Sequence, residues 1–284
     1  MGEISRQLHG KLKAMASNVL LPMSSKGRKP SLNTPDIAKL IADGLDPVHA
    51  TYISVHHVTS VFAENVSRLP EMRTFAREVG KAEDEYMPDG PPMSPLTRSY
   101  FTSWAFFDLR IGKTTDTVAS CLIDADDIMR MNPDQLEALK KLNESRMGIY
   151  EHQGWQENYI RLRELITDRE HVCHVASGYR GKAGELWLVR LLPPPVPELA
   201  TYHVAFTTPY VLTGAKKKDW TDYLRRNMVG MKASSESVAL RQLMKFGPSK
   251  KYWNEFVLLA YHHHQSNAIF LSGIPDLKST LPHA

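Results

Sequence analysis

Three consecutive histidines, His262 to His264, are the residues of this sequence best suited to bind a metal or transfer a proton. The segment that contains them, KKYWNEFVLLAYHHHQ, has the apolar spacing of an amphipathic helix. Successive residues on a helix are about 100° apart, so the three rings of such a run cannot converge on one ion. We therefore expect no metal at the run itself. His263 and His264 become candidate ligands only in combination with distant histidines, for which His56 and His57 are the candidates.

Two further motifs do not have the spacing that the chemistry they suggest requires. Cys173 and His174 are neighbours in a predicted strand, where adjacent side chains point to opposite faces and cannot form a nucleophile–base pair. The segment IGKTT, residues 111–115, ends like a phosphate-binding loop, but Phe107 stands where that motif requires its first glycine. The sequence therefore predicts no complete catalytic motif and no cofactor, and it leaves open whether the protein is an enzyme.

One predicted strand has the composition of a binding surface. Tyr159, Arg161 and Arg163 alternate with Ile160 and Leu162, so the aromatic and basic side chains share one face. Rings that stack on bases beside guanidinium groups that contact phosphates are typical of single-stranded nucleic-acid binding. A solvated sheet face without any ligand explains the same pattern, because residues 147–212 hold six basic residues against seven acidic ones. Further basic residues that extend the predicted patch are Arg180, Lys182 and Arg190.

Charge is distributed unevenly along the chain. Residues 1–30 carry a net charge of +5 and residues 213–284 carry +6, which leaves −7 for residues 31–212 out of a total of +4. Basic ends can bind nucleic acid or an anionic surface, but packing on the acidic middle of the same chain, or solvation alone, explains them as well. The C-terminal residues that we expect to contribute are Lys216, Lys217, Lys218, Arg225 and Arg226.

Helix starts are marked by a capping residue followed by proline. The side chain of the first residue accepts an amide hydrogen bond that the helix leaves unused, and the fixed φ of proline suits the first turn. The residues after each pair have the apolar periodicity of a helix. The pairs are Thr34-Pro35, Asp46-Pro47, Ser94-Pro95 and Asn132-Pro133.

The order of these patterns predicts an α+β fold. We expect a basic N-terminal helix and linker at 1–30, a helical domain at 31–146 and a small antiparallel β-barrel or twisted sheet at 147–212. A basic helical segment is expected at 213–284, with a short strand at 268–273. No apolar run is long enough to cross a membrane, no secretory signal is evident, and two isolated cysteines are typical of a cytoplasmic protein.

The function that these patterns favour is binding rather than catalysis. We expect a non-enzymatic binding or scaffold protein whose barrel face and basic C-terminal helices contact nucleic acid or an acidic protein partner. The alternative is a metal-dependent hydrolase with a histidine site assembled from distant segments, completed by a carboxylate such as Glu64 or Asp124. A purely structural subunit that only self-associates is a third hypothesis.

Overall fold

A computed structural model describes residues 1–19, 36–87, 96–247, 261–265 and 267–272 of the 284-residue chain. These residues group into two units. Unit 1 comprises Met1–Glu85, Thr102–Glu144 and Pro195–Leu199, and unit 2 comprises Tyr86–Phe101, Ser145–Pro194 and Ala200–Ala284. No helix within the described ranges is long and apolar enough to span a membrane.

Helices form most of unit 1 and flank the sheet of unit 2. A 3-10 turn spans Pro70–Met72, and a π-helical turn spans Trp104–Asp108. The helices are α1 Glu3–Val19, α2 Ile37–Ala42, α3 Pro47–Val66, α4 Arg73–Tyr86, α5 Arg98–Ser103, α6 Val118–Asp124, α7 Asp126–Met129, α8 Pro133–Glu144, α9 Lys217–Met228 and α10 Glu236–Phe246.

The predicted helix starts are confirmed where the structure describes them. The Asp46 carboxylate accepts a hydrogen bond from the His49 amide at 2.9 Å, and α3 begins at Pro47. The Asn132 side chain accepts from the Asp134 amide at 2.9 Å, at the first turn of α8. The pairs Thr34-Pro35 and Ser94-Pro95 lie outside the described residues. A capping oxygen before a proline thus predicts a helix start here, because both residues meet a need of the first turn.

Helix α3 lies at the centre of unit 1 and packs against α2, α6 and α8. Its apolar side chains at a spacing of three to four residues, among them Tyr52, Val55 and Phe62, are almost fully buried. Helix α1 packs against α6, with Leu8 fully buried, so it is part of the unit's core. Met15, which the same apolar stripe would bury, is 47% exposed.

Eight strands form one sheet in unit 2. The strands are β1 Met147–Gln156, β2 Tyr159–Glu164, β3 Glu170–Val175, β4 Leu186–Leu192, β5 His203–Ala205, β6 Tyr210–Leu212, β7 Tyr261–His264 and β8 Ile269–Leu271. The first five close into a barrel, and the other three extend it from β4 through β6 and β8 to β7.

The barrel has Greek-key connectivity. Strands β1, β2 and β3 follow one another as antiparallel neighbours, and β4 returns to pair with β1 on its other side. Strand β5 closes the ring by pairing antiparallel with β4 and parallel with β3. The α+β fold with a small barrel in its middle is therefore confirmed, although one of the five pairings of the barrel is parallel where we expected antiparallel ones.

Alternation along the strands builds the barrel core. Ile160 and Leu162 of β2 are fully buried and pack in one cluster with Cys173 of β3 and Trp187 of β4. Tyr150 of β1 completes that cluster opposite Trp187 in the β1–β4 register. The residues between these core positions consequently face outward on β2 and β3.

The helix that we expected for the histidine run is wrong in the part that the structure describes. Tyr261–His264 form strand β7, which pairs antiparallel with β8 and has a register shift between Tyr261 and His263. Apolar helical spacing is confined to residues 253–260, outside the described ranges, and the histidines do not continue it. Instead the Gln265 amide donates to the Ala268 carbonyl at 2.9 Å, which continues the antiparallel pairing of β7 with β8. The side chains of β7 lie outside the described part of the chain.

Candidate nucleic-acid interface

The outer face of β2 displays the residues that alternation placed there. Tyr159 and Arg163 are half-buried and Arg161 is exposed, while the intervening Ile160 and Leu162 have no exposed surface. Strand β3 runs beside β2, with Arg161 opposite Val172 in the register. The structure thus assembles Tyr159, Arg161 and Arg163 on one surface of the barrel.

A second tyrosine joins this surface from β5. The rings of Tyr159 and Tyr202 are in contact, with their centroids 4.7 Å apart, a distance typical of aromatic pairs, and their planes tilted by 37°. Tyr202 precedes β5, and it reaches β2 because β5 pairs in parallel with β3. Tyr202 could not be predicted from the sequence, since alternation within one strand does not reveal which strand will be its neighbour in the sheet.

The two arginines of β2 differ in their surroundings. The Arg163 guanidinium contacts the Glu170 carboxylate of β3 at 2.6 Å, and this ion pair holds the pKa of Glu170 below its usual value. Arg161 is the more exposed of the two. Arg161 is therefore the better candidate for a phosphate contact, because Arg163 would first have to leave Glu170.

Arg180 and Lys182 lie in the connection between β3 and β4 and are both exposed. The Arg180 guanidinium lies over the indole of Trp155, 4.6 Å from the ring centroid. Trp155 is 36% exposed, so it is an aromatic surface residue that the sequence analysis did not select. Arg190, which is predicted from the sequence to extend the same patch, is 1% exposed and donates to the Ser145 hydroxyl at 2.8 Å. Its inclusion was wrong because β4 is buried on both faces.

The basic residues of α9 are partly engaged by acids of the same unit. The Lys217 ammonium contacts the Glu151 carboxylate at 2.7 Å and thereby lowers the pKa of Glu151. The Lys218 ammonium contacts the Asp222 carboxylate, one turn along α9, at 2.6 Å. The remaining basic residues selected from this segment are exposed: Lys216, Arg225 and Arg226.

Histidines considered as metal ligands belong to separate units. His56 and His57 lie on α3 in unit 1, where the His56 Nε2 is 3.3 Å from the Thr102 hydroxyl, and His263 and His264 belong to unit 2. Among the described residues, no three histidine, cysteine, aspartate or glutamate side chains come close enough to hold a metal ion.

A histidine pair that sequence analysis missed lies beside the barrel core. His171 of β3 and His203 of β5 approach to 3.4 Å between Nδ1 and Nε2, with their rings edge-on. The parallel pairing of β3 with β5 brings them together, as it does Tyr202 with Tyr159.

In comparisons with known proteins, the chain matches no family model, no curated protein and no solved structure. The barrel surface itself therefore indicates which ligands the protein can bind. That surface combines two contacting tyrosine rings with an exposed arginine. Such an arrangement is suited to flat, anionic ligands.

Proposed function

We propose that the protein binds single-stranded nucleic acid on the outer face of β2 and β3. The observation that carries the proposal is the aromatic surface of Tyr159 and Tyr202, whose rings are in contact, beside the exposed Arg161. Base–aromatic stacking contributes about 1–3 kcal/mol per base and tolerates any sequence, because every base has a π face. The arginine supplies a cation for the phosphate next to a stacked base.

The architecture of the barrel supports this choice of ligand. OB-folds are five-stranded Greek-key barrels, and they bind oligonucleotides on the face formed by their second and third strands. The barrel here has five strands in Greek-key order, and Tyr159, Arg161 and Arg163 lie on the outer face of its second strand. A shared architecture does not establish a function, so the side chains on the face remain the main argument.

An acidic protein partner fits this surface less well. Binding to a protein through charge alone would require a strongly basic face, whereas Arg163, Lys217 and Lys218 already contact carboxylates. Stacking requires only a few cations, which agrees with the balanced charge of the barrel segment. We therefore expect shallow salt dependence, corresponding to about one to three phosphate contacts.

Fluorescence anisotropy with labelled single-stranded DNA and RNA tests the proposal. At low salt, Tyr159→Ala should weaken binding roughly 5- to 100-fold, as the loss of one stacked base predicts, while Tyr159→Phe should bind like the wild type. Arg161→Gln should weaken binding and flatten the plot of log affinity against log salt by about 0.7, the contribution of one phosphate on a single strand.

A matched control is Arg241→Gln, which removes one exposed positive charge from α10 in the same unit. This variant should bind single strands with the wild-type affinity and with the same slope of log affinity against log salt. The proposal is wrong if the wild type binds neither DNA nor RNA at low salt, or if Tyr159→Ala and Arg241→Gln behave alike.

A further inference from the structure

Trp155 and Arg180 form a preorganised pair at the end of the barrel. The guanidinium lies 4.6 Å from the indole centroid, and both side chains are exposed at their outer surfaces. Guanidinium planes and indole rings are two of the groups on which proteins stack unpaired bases. Lys182, two residues beyond Arg180, is exposed as well.

His152 fixes the backbone on both sides of this pair. Its Nδ1 accepts a hydrogen bond from the Gly154 amide at 3.0 Å, next to Trp155, and its Nε2 lies 3.2 Å from the Arg180 carbonyl. The His152 amide also donates to the Glu185 carbonyl, and the His152 carbonyl accepts from the Gly184 amide, both at 2.8 Å. These two bonds connect His152 to the segment between β3 and β4. His152 has no exposed surface, so these contacts are shielded from water.

The two contacts define the protonation state of the imidazole. Nδ1 must be unprotonated to accept from Gly154, so Nε2 carries the proton and donates to the Arg180 carbonyl. Burial favours this neutral form and lowers the pKa of His152 below its usual value. The ring contacts of His152 with Trp155 and Trp187 add packing to the same arrangement.

We infer that Trp155 and Arg180 form a second stacking subsite, which takes a further base of the strand bound at Tyr159 and Tyr202. The inference rests on the proposed function, since it concerns the same ligand. His152 acts as a positioning residue that holds the two side chains in register before the ligand arrives.

The two subsites lie on opposite faces of the two-stranded sheet that β1 and β2 form. Trp155 is opposite Ile160 in the register, and Ile160 faces the barrel core, whereas Tyr159 faces outward. A nucleic-acid strand must therefore pass the hairpin to occupy both. A short oligonucleotide can fill the tyrosine face alone, and only a longer one can also reach Trp155.

Oligonucleotide length provides the test. Binding of single strands of about 3 and about 10 nucleotides is measured by anisotropy, lengths chosen around the roughly 4–16 nucleotides that one OB-type barrel covers. Trp155→Ala should weaken the long strand roughly 5- to 100-fold and leave the short strand unchanged, whereas Tyr159→Ala should weaken both. Trp155→Phe keeps an aromatic ring at this position and should retain most of the additional affinity for the long strand.

The positioning role is tested with His152→Gln. This variant should bind the long strand no more tightly than the short one, while its affinity for the short strand stays at the wild-type value. Unchanged binding of the short strand also shows that the barrel of this variant is folded. Equal affinity of Trp155→Ala and wild type for the long strand would disprove the subsite, and so would loss of short-strand binding in Trp155→Ala. Absence of binding by the wild type at both lengths would instead disprove the proposed function, and the subsite with it.

Discussion

At the scale of single residues, the histidine pair of the barrel makes stability depend on pH. Burial, and then the neighbouring His171, lower the pKa of His203 to about 4, and burial also lowers the pKa of His171. Both histidines titrate near 6.5 in an unfolded chain, so the folded state binds fewer protons below that pH. Stability should therefore be complete above about pH 6.5 and decline as the pH falls toward 4. We expect a loss on the order of 2 kcal/mol between pH 7 and pH 4.5, measured by urea unfolding.

His203→Gln isolates the contribution of this residue. The glutamine does not titrate in this range, so the decline in unfolding free energy between pH 7 and pH 4.5 should become shallower. The charged groups that influence the pKa of His171, namely Glu164, Arg146 and Arg169, are unchanged in this variant. An equally steep decline in His203→Gln would show that other groups control the acid sensitivity.

At the scale of elements, helix α1 depends on a turn that is distant in the sequence. The Ile4 amide donates to the Asp116 carboxylate at 3.1 Å, and the Glu3 amide donates to the Thr114 hydroxyl at 2.8 Å. The Thr114 hydroxyl in turn donates to Asp116 at 2.7 Å. The segment that resembles the end of a phosphate loop thus caps a helix, which satisfies amides that the first turn leaves without helical partners.

Removing this cap should loosen α1. We expect Asp116→Ala to lower the free energy of unfolding by about 1–2 kcal/mol, the usual cost of losing an N-cap acceptor, and to accelerate hydrogen exchange at the Ile4 amide. Lys113→Ala, an exposed change in the same turn, is the control and should do neither. If the two variants exchange the Ile4 amide at the same rate, Asp116 is not the cap of α1.

Local signals predicted elements well, and long-range pairing remained hidden. Asp46-Pro47 and Asn132-Pro133 gave correct helix starts, and alternation placed Tyr159 and Arg161 on an outer face, because both signals act within a few residues. Tyr202 could not be found in this way. Its position depends on the parallel pairing of β3 with β5, which no periodicity within a segment encodes.

For the histidine run, the local pattern gave a wrong prediction. Its helical prediction extended a preceding apolar period into residues that do not share it, and hairpin pairing with β8 determined the outcome. Burial of Arg190 was missed for a related reason. A strand buried on both faces does not alternate, so its polar residue was interpreted as belonging to the surface.

At the scale of the whole molecule, the C-terminal region completes a sheet that begins more than a hundred residues earlier. Strand β8 pairs in parallel with β6, and Ala268 just before it belongs to the barrel core. The Ile269 amide donates to the Pro209 carbonyl at 3.0 Å, and the Thr213 amide donates to the Leu271 carbonyl at 2.8 Å. The barrel of unit 2 therefore depends on residues far outside the continuous segment that forms its five strands.

This dependence predicts how a single change in β8 spreads. Ile269→Pro removes the amide that bonds Pro209, and we expect it to lower the free energy of unfolding by at least about 2 kcal/mol. Ile269→Val keeps that amide and should cost only about 1 kcal/mol.

Hydrogen exchange at the Thr213 amide reports the β6–β8 contact, and exchange at the Leu165 amide, which donates to Ile149, reports the barrel ring. Because Val211 of β6 and Ala268 share the core with β2 and β4, Ile269→Pro should accelerate exchange at both amides. Faster exchange at Thr213 alone would instead mean that β8 detaches locally and that the five-stranded ring is stable without it.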